Sequence, residues 1–180
     1  ILIIYSNHIK IIDCKADNIG TATDATFQVF AHNNTTISDI LFQDCIVTNS
    51  GRNGYYLGGD GTQNAKITDT TFIRCQAIGC GETSRYNDWI VGFTIAEAPG
   101  PNLDNIKIID CIARESWESG FHMESVGIYF LCDVYQRIMD RNHPQVMVMV
   151  LSCRVISISL IVLQEIILVL MLKIKDVEYI

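Results

Sequence analysis

The sequence predicts an all-β solenoid, a coil of short strands stacked turn upon turn. Three observations carry that expectation. One two-part pattern is written four times, its apolar residues alternate with a period of two, and asparagine and glycine mark its corners. A unit of two or three short strands cannot bury its own apolar residues, so it has to stack on neighbours of the same kind.

The first part of the pattern is a strand that ends in a polar residue and a cysteine. Its copies are Ile9–Cys14, Ile40–Cys45, Thr70–Cys75 and Ile106–Cys111. A small apolar residue sits two places after each cysteine (Ala16, Val47, Ala77, Ala113), which continues the inward alternation. Polar or glycine corners follow, as in Thr48–Gly51 and Gly79–Gly81. The second part is a shorter strand built on an aromatic residue, in Phe27–Val29, Gly54–Leu57, Gly92–Ile95 and Gly120–Met123. The cysteines are 31, 30 and 36 residues apart, and the excess over a short solenoid repeat falls in four insertions: His32–Thr36, Gly58–Asn64, Glu82–Asn87 and Glu97–Asn102. Stacking brings equivalent residues to about 4.8 Å, so Cys14, Cys45, Cys75 and Cys111 are expected to form an interior ladder of reduced thiols. No CxxC pair occurs, and ligands in a straight column do not suit tetrahedral coordination, so no metal site is expected there. Cys80, at a corner, is expected to be the exposed thiol, and Tyr55, Phe93 and Phe121 to stack in the core. Asp13, Asp44 and Asp110, each one place before a ladder cysteine, are expected to face solvent or bind the turn.

The chain has 180 residues, 13 basic against 20 acidic, and no Lys/Arg-rich run, which excludes the positive footprint that a nucleic acid partner needs. It opens on Ile1 without a charged-then-apolar leader, so it shows no signal peptide and reads as a fragment. Residues 1–124 hold 11 of the 12 glycines and 10 of the 11 asparagines, and they form the repeat region, read as four to five coils. Residues 125–180 form a non-repeat apolar tail. Within it Val155–Leu172 is apolar except at Ser157, Ser159, Gln164 and Glu165. One reading of the tail is a packing or membrane segment, with membrane association following only if 155–172 is genuine. The other is a shifted reading frame that begins near codons 124–128. Reading the third base of each codon with the first two of the next, Gly127–Val134 permits Asn-Ile-Phe-Ser-Val-Arg-Cys, which is the first part of the repeat again.

With the motif Asn/Ile-rich strand, Asp-Cys, Ala and Gly-Phe on the page, residues 9–124 resemble the right-handed parallel β-helix repeat proteins of the pectate-lyase-like superfamily. The similarity is greatest to coils of archaeal and bacterial surface proteins, including disaggregatase-related proteins. The resemblance implies a right-handed parallel β-helix, an extracellular or cell-surface location and a polysaccharide partner. It does not fix an activity, because this scaffold carries lyases, hydrolases, epimerases and adhesins alike.

Alternation along the second strand places Gln28, Tyr56, Thr94 and His122 in one column that is expected to be exposed, with insertions walling a groove beside it. The candidate catalytic residues of that groove are Glu97, His122 and Glu124. Two carboxylates about 5–9.5 Å apart can act as acid and base or nucleophile on a glycosidic bond. Candidate substrate-binding residues are Tyr56, Asp60, Arg85, Trp89 and Trp117, with Tyr86 as a further ring, since aromatic faces stack on the apolar faces of sugars. A lyase would instead set Arg85 or Arg52, or a Ca²⁺, against a uronate carboxylate, with Asp60, Asp88 or Glu97 as acidic partners. Gly58-Gly59-Asp60-Gly61 suits a Ca²⁺-binding turn or an ordinary tight loop; no other cofactor is expected. The expected function is polysaccharide binding or processing, against a non-catalytic surface or adhesion solenoid.

Overall fold

A computed structural model describes residues 1–17, 25–60, 64–81, 90–95, 102–117 and 119–123, together with the backbone of 127–132, 134–138, 147–151 and 154–158. The chain is all-β. It opens with β1 (Leu2–Ile3), β2 (Ile9–Ile12), β3 (Lys15–Asp17) and β4 (Phe27–Ala31), followed by β5 (Thr36–Gln43), β6 (Ile46–Thr48) and β7 (Tyr55–Gly59). The next rung holds β8 (Lys66–Ile73), β9 (Gln76–Ile78) and β10 (Val91–Ile95). The one after it holds β11 (Asn102–Asp104), β12 (Ile106–Ile109), β13 (Ile112–Ser116) and β14 (Ser119–Met123). The last described strands are β15 (Gly127–Cys132), β16 (Val134–Ile138), β17 (Met147–Leu151) and β18 (Arg154–Ile158).

These strands stack into three sheets. One runs β1-β4-β7-β10-β14, a second β2-β5-β8-β12-β15-β18 with β11 also on β8, and a third β3-β6-β9-β13-β16-β17. Every pairing from β1 to β16 is parallel and joins each strand to its counterpart one repeat away, which is the topology of a β-solenoid of about 3 turns. The four copies of the cysteine-ending strand are four rungs of the second sheet, in the register Ile11↔Phe42↔Phe72↔Ile108. In the tail, β15 and β16 add to β12 and β13 in parallel, whereas β17 and β18 return antiparallel.

The sharp corners come from backbone conformation. The residue before each ladder cysteine is left-handed: Asp13, Asp44, Arg74 and Asp110 have φ of 54°, 54°, 51° and 52°. A second left-handed column stands one place before Ile9, Ile40, Thr70 and Ile106, in His8, Asp39, Asp69 and Asn105, and a third lies at the end of the next sheet in Asn49, Gly79 and Glu115. Short polar side chains that bond their own turn tolerate this region best, which explains the Asp and Asn at these steps. Asp13, Asp44 and Asp110 each supply the left-handed residue of the turn, and the Asp44 carboxylate accepts from Gln43 and Arg74.

Inside, the columns fill the coil. Cys45, Cys75 and Cys111 are buried and Cys14, at the first rung, is half-buried; all are free thiols. Backbone bonds from Ile46, Gln76 and Ile112 to the carbonyls of Cys14, Cys45 and Cys75, each 2.9 Å, hold the ladder in register. Burial raises the Cys45 thiol to about 11. Cys111 is also pushed up, by burial first and then by its hydrogen bond with Cys75. Cys80 is not the exposed thiol: it is fully buried and raised by that burial to about 12, because its corner turns inward against Gly54.

The aromatic column Phe27–Tyr55–Phe93–Phe121 stacks face to face, with centroids 5.3, 4.5 and 4.7 Å apart. A second stack, Phe42–Phe72 at 5.0 Å, meets it edge-on through Tyr55. Such pairs add about 0.5–1.5 kcal/mol each beyond their burial. The Tyr55 hydroxyl donates to the Cys45 carbonyl at 2.8 Å, so its polar end is satisfied within the core. The small residues before these rings are required by close approach: a Cβ on Gly92 would stand 2.8 Å from the Gly120 carbonyl and 3.0 Å from the Ala113 Cβ.

Candidate functional site

The five-stranded sheet presents one face to the core and one outward. Along β4, Phe27, Val29 and Ala31 are buried while Gln28 and Phe30 are half-buried on the outer side. Register places Gln28, Tyr56, Thr94 and His122 side by side on that outer side, the column expected from the alternation. Its exposure differs from expectation at one rung. Tyr56 and His122 are half-buried, but Thr94 is fully buried, because β10 is covered on both faces at all five positions. Its hydroxyl has no hydrogen-bond partner among the described residues.

A cluster forms at the downstream end of the same face. Gly58 lies opposite Phe30, and the Tyr56 ring occupies the space a side chain at 58 would need, with its hydroxyl 2.3 Å from the Cβ that Gly58 lacks. Only glycine lets Tyr56 lie along its own strand in this way. Past the strand ends, His32 Nδ1 meets Asp60 Oδ2 at 2.8 Å, and the backbone N–H of Asn33 donates to the same carboxylate oxygen at 3.3 Å. The Asp60 backbone N–H donates to the Ala31 carbonyl at 3.1 Å, which fixes the two insertions to each other. The Tyr5 ring stacks on His32 with centroids 5.3 Å apart, and Phe30 meets the same imidazole edge-on at 5.1 Å. His32 and Asp60 keep 36% and 42% of their side chains exposed, and Tyr5 keeps 68%, so these rings and the carboxylate are reachable from solvent. The hydrogen bond from His32, helped by the Asn33 N–H, holds the Asp60 carboxyl below the ordinary carboxylate range.

Chemically this patch offers flat apolar ring faces beside an ionised acceptor and an imidazole oriented through its Nδ1. That combination can stack on the apolar face of a sugar ring and accept from its hydroxyls.

Of the residues expected at the site, the structure brings Tyr56 and His122 into one column and joins Asp60 to His32 at its end. Trp117 stands elsewhere, at the corner between β13 and β14, where its backbone N–H donates to the Cys80 carbonyl at 2.9 Å. Arg52 lies between β6 and β7. Glu97, Glu124, Arg85 and Trp89 lie outside the described residues, as do Tyr86 and Asp88. Sequence reasoning did not single out His32, Phe30 or Tyr5. The available signal was that His32 and Asp60 fall in two successive insertions at matching distances from matching strands. Among the described residues no group of three or more His, Cys, Asp or Glu side chains is placed to hold a metal ion, and no helix is long and apolar enough to cross a membrane. No family model, curated protein or solved structure matches the chain.

Proposed function

We propose that this β-solenoid binds polysaccharide at the downstream ends of β4 and β7, on the outer face of its five-stranded sheet, at a cell surface or outside the cell. The observation that carries the reading is the solvent-reachable cluster of Tyr5 and Phe30 around the His32–Asp60 pair, with Tyr56 on the same outer face over Gly58. The resemblance of residues 9–124 to pectate-lyase-like repeat proteins supports it, and the reading takes the coil to be right-handed, the hand that parallel crossovers adopt. The test is calorimetric titration of the full chain with neutral and acidic glycans, with glycan chain length followed in parallel. Tyr5→Ala and Asp60→Asn are each expected to weaken binding at least tenfold without changing glycan length. Wild-type protein that binds no glycan, or variants that bind as well as wild type, would overturn the reading; shortened glycan would replace binding by processing.

A further inference from the structure

The turn from β4 to β5 is a hydrogen-bonded β-turn: the Thr35 N–H donates to the His32 carbonyl at 3.0 Å, with Asn33 and Asn34 exposed at its tip. Its sequence, Asn33-Asn34-Thr35-Thr36, holds two overlapping Asn-x-Thr acceptor sequons. None of the other nine of the 11 asparagines is followed two places on by Ser or Thr. The two sequons coincide with the described turn at which both asparagines reach solvent, as a glycan acceptor must.

The turn also separates the two. In the Asn33 sequon the hydroxyl belongs to Thr35, and its Oγ1 is already engaged, donating to the His32 carbonyl. In the Asn34 sequon the hydroxyl belongs to Thr36, which is exposed at the first position of β5. Asn34 is also the oriented side chain. Its Oδ1 accepts from Asn64 Nδ2 of the next coil at 3.1 Å, and because the amide is planar this turns its own Nδ2 away from Asn64.

We infer that Asn34, with Thr36, is an N-glycosylation site, taking its glycan from a lipid-linked oligosaccharide pyrophosphate. Asn34 Nδ2 bonds to the anomeric carbon of the donor as the bond from that carbon to the pyrophosphate oxygen breaks. The lipid pyrophosphate leaves with the electron pair, and a base of the transferase takes the amide proton. The inference rests on the extracytoplasmic location proposed above, but its test does not. The folded full chain is incubated with a purified sequon-specific oligosaccharyltransferase and its lipid-linked donor, and the peptides are mapped by mass spectrometry. One glycan is expected, on Asn34. It is lost in Asn34→Gln and Thr36→Ala and kept in Asn33→Gln and Thr36→Ser. Absence of glycan on the wild-type chain, a glycan on Asn33, or a glycan that survives Thr36→Ala would overturn the inference. None of these outcomes touches the glycan titration, so the two proposals fail separately.

Discussion

Cysteine shows how one residue type takes two states along a single column. Cys45, Cys75 and Cys111 are sealed between rungs, whereas Cys14 keeps part of its surface. Only a thiolate reacts with alkylating reagents, and burial raises Cys45 to about 11 and Cys80 to about 12. Native-state labelling with iodoacetamide, mapped by peptide mass, is therefore expected to modify Cys14 in minutes at pH 8. Cys45, Cys75, Cys80 and Cys111 should react only as the chain unfolds, Cys75 because burial denies the reagent access even though its hydrogen bond with Cys111 lowers its thiol. The placement of the ladder thiols was legible from their phase in the repeat. The burial of Cys80 was not, because being at a corner says nothing about which way the corner turns. Thr94 teaches the same limit from the other direction. A period of two tells which side of the strand a residue faces, and not what lies over it.

At the level of the element, each corner is a backbone problem solved by residue choice. Gly79 occupies the left-handed position that Asn49 holds one coil earlier, at φ of 63°, and a Cβ there would come within 2.9 Å of Asn49 Oδ1. Glu115 holds the same corner in the following coil at φ of 55°, with neither glycine's freedom nor a short side chain that bonds its own turn. The left-handed region costs an ordinary residue about 1–2 kcal/mol, and Asn escapes part of that. Glu115→Asn is expected to stabilise the protein by about 0.5–1 kcal/mol and Gly79→Ala to destabilise it by at least about 1 kcal/mol, as read from urea midpoints. Strands and corners could be read in the sequence because each is repeated. The His32–Asp60 pair was harder to read, since it joins two insertions of different length and neither Glu82–Asn87 nor Glu97–Asn102 carries a histidine to repeat the signal.

Taken whole, the molecule is tied rung to rung by carboxylates whose protonation is held down. Asp60 is lowered by the hydrogen bond from His32 of the preceding coil and Asp44 by the bidentate Arg74 of the next, at 2.6 and 2.7 Å. Asp69 is lowered by its hydrogen bonds with Thr68 and with Asn105 of the next coil. Each of the three coil interfaces thus carries one such group. A folded-state pKa below the ordinary carboxylate value means a stabilising contribution that is present above about pH 4 and lost as pH falls through the depressed value. The urea midpoint is expected to fall with pH below about 4, and less steeply in the triple variant Asp44→Asn, Asp60→Asn, Asp69→Asn. Asp69 is exposed and Asp44 and Asp60 are only half-buried, so solvent screens all three and the effect is an added slope and not a collapse.

The parallel ladders have a mechanical consequence. Because their hydrogen bonds point from one rung to the next, traction between the first and last rung of the parallel stack loads the rung-to-rung interfaces in series, so each bears the full force and the weakest yields first. Such a body peels one turn at a time, each release letting out roughly the length of chain in a turn, so under load it behaves as an extensible tether and not as a rigid post.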